Sequence, residues 1–137
     1  MRERGQITLL VIGFAMILLS LVAVVIDASQ VVLLRRSLSS LADGAALTAA
    51  QSVAEDALYS GRGGESLPLD ETEARRAVVR YVQLSGLPVR VLEVGIAGDR
   101  VSVALSAQAD LPLVGSVTGS FDGTTVVARA SARSPIG

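Results

Sequence analysis

The 137-residue sequence contains no cysteine and no histidine. That removes the usual zinc and haem sites, thiol nucleophiles, Ser-His-Asp triads and every disulfide from consideration. Lysine is missing as well, so all 12 basic residues are arginine, a usage that reads as the coding bias of a GC-rich genome. Set against 13 acids they leave a net charge of -1, and no basic excess argues for a nucleic-acid partner. Aromatic residues make up only 3% of the chain. Beyond the first apolar run they are Tyr59, Tyr81 and Phe121, so any folded core must be built from Val, Ala and Leu and is expected to be of marginal stability without a partner.

What is abundant is apolar. Half of the residues are hydrophobic, 18% are charged, and the mean hydropathy is +0.55. The excess is concentrated between Ile7 and Ile26, a stretch without charge in which Thr8, Gly13 and Ser20 are the small or polar interruptions. Twenty residues at about 1.5 Å each span about 30 Å, the thickness of a bilayer hydrocarbon core. Arg2 and Arg4 precede the run, whereas Asp27 follows it and Arg35-Arg36 come two turns later, which favours an N-in, C-out single pass through a bacterial cytoplasmic membrane. Asp27 then marks the outer interface, since a carboxylate is costly at the bilayer centre. A cleavable secretory signal is the alternative. Against it, the run exceeds the roughly 7 to 15 residues of a signal core, and Ile26-Asp27-Ala28 is a poor cleavage site.

Between Asp27 and Tyr59 only Gly44 interrupts helix-forming residues, and Val31, Leu34, Leu38, Leu41, Ala45 and Thr48 recur at alternating spacings of three and four. The pattern predicts that the span continues outward as one amphipathic helix, about 75 to 80 Å long from Ile7 to Leu58. Ser60 to Ser66 holds three glycines and no apolar residue, the clearest linker. Asp70-x-x-Glu73 reads as a capping box opening a second helix from Glu71 to about Ser85, with Ala74, Ala77, Val78, Tyr81 and Val82 on its apolar face and Gly86 as its stop. From Pro88 the period becomes two. Strands are predicted at about Val89–Ile96, at Val101–Ala109 after a turn at Ala97-Gly98-Asp99, and at about Thr125–Ala132, with Leu111-Pro112-Leu113 as an interruption. The expected fold class is therefore α+β. Its parts are a short cytoplasmic segment 1–6, a transmembrane helix 7–26, an external helix 27–59, a linker 60–69, and a helix with a small three-stranded antiparallel sheet in 70–137, the helices covering the sheet.

Chemistry-bearing groups are few. Glu55, Asp56, Glu65, Asp70, Glu71 and Glu73 gather acids around the linker, but acids in a first helical turn complement the helix dipole, and the spacing of a calcium loop is missing. The serines have no visible base to activate them. No catalytic residue, cofactor or metal is expected. Gly13, Ser20 and Asp27 recur every seven residues and so share one stripe of the membrane helix, where small residues permit close helix–helix approach.

Arg4-Gly5-Gln6, the apolar span, Asp27, and the run Leu38-x-x-Leu41-Ala42-Asp43-Gly44-Ala45-Ala46-Leu47-Thr48-Ala49-Ala50 together resemble the N-terminal region of the TadG-like and TadE-like proteins of Flp (tight adherence) pilus systems. The resemblance covers roughly Arg2 to Gln51, and the alternating tail through Ala128-Arg129-Ala130-Ser131-Ala132-Arg133 is similar to that of small TadG-like proteins. It implies a non-enzymatic envelope protein whose partners are the membrane and other pilus or secretion subunits, with association of like chains left open. Pilin-like members that are processed after the glycine carry Glu five residues on; Leu10 stands there, which places the chain nearer the TadG-like branch. Gly5, Gln6, Asp27, Leu38, Leu41, Ala42, Asp43, Ala45, Ala46 and Ala49 are the motif residues. The alanines among them form the surface with the smallest side chains, expected to seat a partner. The alternatives are a membrane-anchored extracellular binding subunit unrelated to pili and an exported hydrolase, which would need a concave polar site or a nucleophile with its base.

Overall fold

The computed structural model describes residues 2–60, 67–119 and 123–133. Its elements are α1 (Arg2–Ser60), α2 (Leu67–Leu84), β1 (Val89–Ala97), β2 (Arg100–Ala109), α3 (Pro112–Thr118) and β3 (Thr124–Arg133). The fold is α+β, with a long apolar N-terminal helix, a second helix and a three-stranded antiparallel sheet in the order β1-β2-β3. Helix α1 is unbroken over 59 residues. Nothing in its sequence can break it, since it contains no proline and its glycines stand singly among strong helix formers.

Helix α2 starts earlier than the sequence suggests. It begins at Leu67 where Glu71 was expected, so Asp70 lies within its first turn and is not the N-cap of an Asp70-x-x-Glu73 box. The reason is Pro68, which a first turn accepts because the amide it lacks would have no intrahelical partner there. The helix takes 67–69 from the expected linker; 61–66, with Glu65, lie outside the described residues, as does Phe121.

The chain forms two compact units, residues 1–32 with 109–124, and residues 33–108 with 125–137. In the second unit the core is Leu38, Leu41, Ala42, Ala45, Ala46, Ala49, Ala50 and Ala54 of α1, Ala74, Val78 and Val82 of α2, and the inward residues of the strands. The buried face of α1 is thus richer in alanine than the expected stripe, with Val31, Leu34 and Thr48 only half-buried at its margin. Small side chains decide this: Gly44 lies so close to Tyr81 of α2 that a Cβ there would meet the phenol oxygen and approach Cζ to 2.8 Å.

Strand β2 is central, and Val101, Val103 and Leu105 are buried as alternation predicts. Ala104 and Ser106 on its other face are buried too, because their side chains are short and longer ones on the edge strands, such as Glu93 and Arg129 beside Ala104, overhang them. Strand β1 pairs with β2 from Val89↔Ala107 to Ala97↔Arg100, with a bulge that leaves Leu92 unpaired between Val91↔Leu105 and Glu93↔Ala104. The extra residue reverses the parity of the strand, so that Val89 and Val91 face the core before it, and Val94 and Ile96 after it. In β3, Val126 and Ala128 are buried and Val127 and Arg129 exposed, as the alternation predicts.

Helix α3 replaces what the sequence reading treats as a mere interruption. Pro112 opens it and Gly119, in a left-handed conformation, closes it with its amide donating to the Gly115 carbonyl at 2.9 Å. Proline at the start and glycine past the end is the signal that would have found it.

Candidate functional site

The residues from Ile7 to Ile26 bury almost nothing. Every one but Ala23 is exposed, and large side chains such as Leu9, Leu10, Ile17 and Leu19 leave two thirds or more of their surface open. Nothing in the chain itself accounts for twenty such residues in a row, whereas hydrocarbon does: the helix is long and apolar enough to cross a membrane. Its polar side chains are compatible with that setting. Thr8 Oγ1 donates to the Arg4 carbonyl at 2.9 Å, Ser20 Oγ to Met16 at 2.9 Å, and Ser29 Oγ to Val25 at 2.8 Å, so each hydroxyl is satisfied inside its own helix.

The expected stripe of Gly13, Ser20 and Asp27 divides. Gly13 has open space where a Cβ would be, and Ser20 is exposed, so both remain accessible to a neighbouring helix. Asp27 does not: it is 2% exposed, while Ile26 beside it is 44% exposed. Gly5 and Gln6, at the start of the motif, are exposed.

The alanine-rich run requires a correction. Leu38, Leu41, Ala42, Ala45, Ala46 and Ala49 are at most 9% exposed, so their surface is already covered by the chain's own unit and a partner cannot reach it. The small side chains do permit close approach, but the approaching element is intramolecular, as with Tyr81 over Gly44. Within the run from Leu41 to Ala50, Asp43 and Leu47 face solvent.

The described acid side chains around the linker are spread over open surface. Glu55 and Glu71 are exposed, and Glu73 makes a surface ion pair with Arg76, one turn along α2, at 3.8 Å. Among the described residues no three acids stand close enough to share a metal. The cavities there are open grooves. One of about 480 Å³ runs between α1 and α2, where Arg36, Ser37 and Ser40 face Tyr81 and Leu87, and it brings a cation and hydroxyls together without a base. Another follows the exposed arginines Arg75, Arg76 and Arg80 along α2.

Comparison with known proteins adds one positive finding, and it falls on the apolar helix. Residues 5–52 match the family model Tad, described as "Putative Flp pilus-assembly TadE/G-like". This segment is Tad-like. The Tad match begins at Gly5 of the Arg-Gly-Gln motif, takes in the whole exposed span, Asp27 and the alanine-rich run, and ends one residue past Gln51; Arg4 and the alternating tail through Arg133 lie outside it. It covers a little over a third of the chain and leaves α2 and the sheet outside it. No curated protein and no solved structure matches the chain.

Proposed function

We propose that this protein is a non-enzymatic component of a Flp/Tad-type pilus or related secretion system, anchored in the bacterial cytoplasmic membrane by residues 7–26 with its N-terminus inside. The single observation that carries the reading is the coincidence of the pilus-assembly match with the exposed apolar helix. In this reading the bulk of residues 27–137 lies outside the membrane. Gly13 and Ser20 offer the span a face on which another membrane helix can pack, because lipid supplies no hydrophobic drive and close van der Waals approach must take its place. The external unit docks through its exposed surface, and the alanine-rich face of α1 holds that unit together.

The test is crosslinking in native membranes from reporters beside Gly13 and Ser20. Replacing both by Leu should leave insertion unchanged, since Leu favours the lipid phase, and weaken crosslinks to pilus or secretion subunits. Crosslinks unchanged by the double substitution would sink the packing face, and a deletion strain with normal pilus and secretion output would sink the assembly role. Mass spectrometry of the mature N-terminus separates the anchor from its alternatives: a start at Gln6 means processing after Gly5, and a start near Ser29 makes the span a cleaved signal.

A further inference from the structure

Two adjacent antiparallel strands need little chain to join them. Strands β1 and β2 manage with Gly98-Asp99 alone, and hairpin loops of about two to five residues are the rule. Strands β2 and β3 are also neighbours in the sheet, yet residues 110–123 intervene and carry α3. This connection does not group with the strands it joins. It forms a compact unit with residues 1–32, the part of the chain that contains the apolar span.

Its composition departs from that of an ordinary exposed loop. Between Asp110 and Asp122 the sequence Leu111 to Phe121 has no charged residue, and Pro112 and Leu113 are exposed. A second observation bears on its level. Asp27 ends the twenty-residue span and is 2% exposed although the residues before it are bare. A lone helix cannot cover one of its own side chains in this way, so chain from elsewhere reaches the outer end of the span. Any segment packed in one unit with residues 1–32 at that level meets the headgroup region of the membrane.

We infer that α3 is a second membrane contact, an interfacial segment that lies in the outer headgroup layer at the level of Asp27 with Leu113 toward lipid. The occupant of its apolar surface is phospholipid, and the attachment is apolar: α3 has no basic residue, so it does not depend on anionic lipid or on low salt. The inference rests on the reading of residues 7–26 as a membrane span. Its consequence is that the β2–β3 connection is held at the bilayer surface, so the sheet is tethered through α3 as well as through α1.

The chain has no tryptophan and no cysteine, so single reporters are unambiguous. Full-length protein carrying Leu113→Trp is reconstituted in phosphatidylcholine vesicles brominated either near the headgroup or near the middle of the acyl chain. Leu18→Trp in the span and Val127→Trp on the exposed face of β3 serve as references. Leu113→Trp should lose roughly half or more of its emission to headgroup-proximal bromine, less to mid-chain bromine, and the same amount at high salt. Val127→Trp should lose none, and Leu18→Trp should be quenched by mid-chain bromine. If Leu18→Trp is quenched and Leu113→Trp is not, the anchor stands and the interfacial role of α3 is overturned. If neither is quenched, the membrane reading falls and the inference with it. Ser116→Cys bearing a nitroxide repeats the question from a second residue: greater accessibility to oxygen than to a water-soluble nickel complex supports lipid contact, and the reverse overturns it.

Discussion

Gly44 and Tyr81 provide the sharpest test of how the external unit is assembled. An alanine at position 44 has two opposing effects. Helix propensity favours it by about 0.5–1 kcal/mol, because glycine loses more backbone entropy in a helix. Packing opposes it: the new Cβ would meet the Tyr81 hydroxyl and lie 2.8 Å from Cζ and 3.1 Å from Cε1, where ordinary contact needs over 3.4 Å. The obstruction is the end of a half-buried side chain that can swing away, so the cost belongs at the lower end of the ~1–3 kcal/mol typical of overpacking. The two terms nearly offset, and Gly44→Ala alone should be neutral or destabilising by about 1 kcal/mol. Removing the ring changes the sign. In a Tyr81→Ala background the space is empty and only the propensity gain remains, so Gly44→Ala should stabilise by about 0.5–1 kcal/mol. The cycle therefore predicts a coupling of about 1–2 kcal/mol between two residues 37 positions apart in sequence (81 - 44 = 37). Hydrogen exchange of the β2 amides in full-length protein held in lipid nanodiscs reads the stability of this unit without interference from the span. A Gly44→Ala effect that is the same with and without the Tyr81 ring would refute the close approach and the α1–α2 packing built on it.

Three further predictions concern the same unit and its border. Ala46→Glu or Ala49→Glu buries an unpaired carboxylate in the core and should collapse protein abundance, whereas Glu71→Gln with Glu73→Gln removes one exposed ion pair and first-turn acids, costing about 1 kcal/mol or less; immunoblotting of membranes compares them, and loss of function confined to the carboxylate pair would point to a chemical site. Leu105→Ala, at the fully buried centre of β2, should cost about 2–5 kcal/mol and speed exchange throughout the sheet; a change confined to the strand edges would show that β2 is not central to the unit's stability. Gly123→Ala should be poorly tolerated, since Gly123 has φ +93° and a Cβ there would come within 2.5 Å of the Ala109 carbonyl; wild-type protease resistance of the β2–β3 connection would contradict that geometry.

Much of the molecule was legible from residue types and their spacing. The span follows from length and hydropathy alone, because a charge-free helix of twenty residues satisfies its backbone internally and needs only an apolar solvent. The second helix and the three strands follow from periods near 3.6 and 2, which local geometry imposes whatever the packing. The Arg-Gly-Gln motif, Asp27 and the alanine-rich run marked the segment that the Tad model matches. Local signals exist as well for α3, in the Pro112–Gly119 bracket around it, and for the bulge, in the change of parity from Val89 and Val91 to Val94 and Ile96.

What sequence could not decide is which surfaces the chain keeps for itself. A stripe of alanines has the same appearance whether it seats a partner or closes a core, since both demand small side chains and nothing local distinguishes them. Only the packing of the rest of its unit around α1, with Tyr81 of α2 over Gly44 as one such approach, assigns Ala45, Ala46 and Ala49 to the interior. In the same way Gly13, Ser20 and Asp27 are equivalent by heptad spacing, and tertiary structure alone separates a covered carboxylate from two open positions. Periodicity is a property of one element and is written in its residues. Burial depends on two, and the second is often remote in the chain.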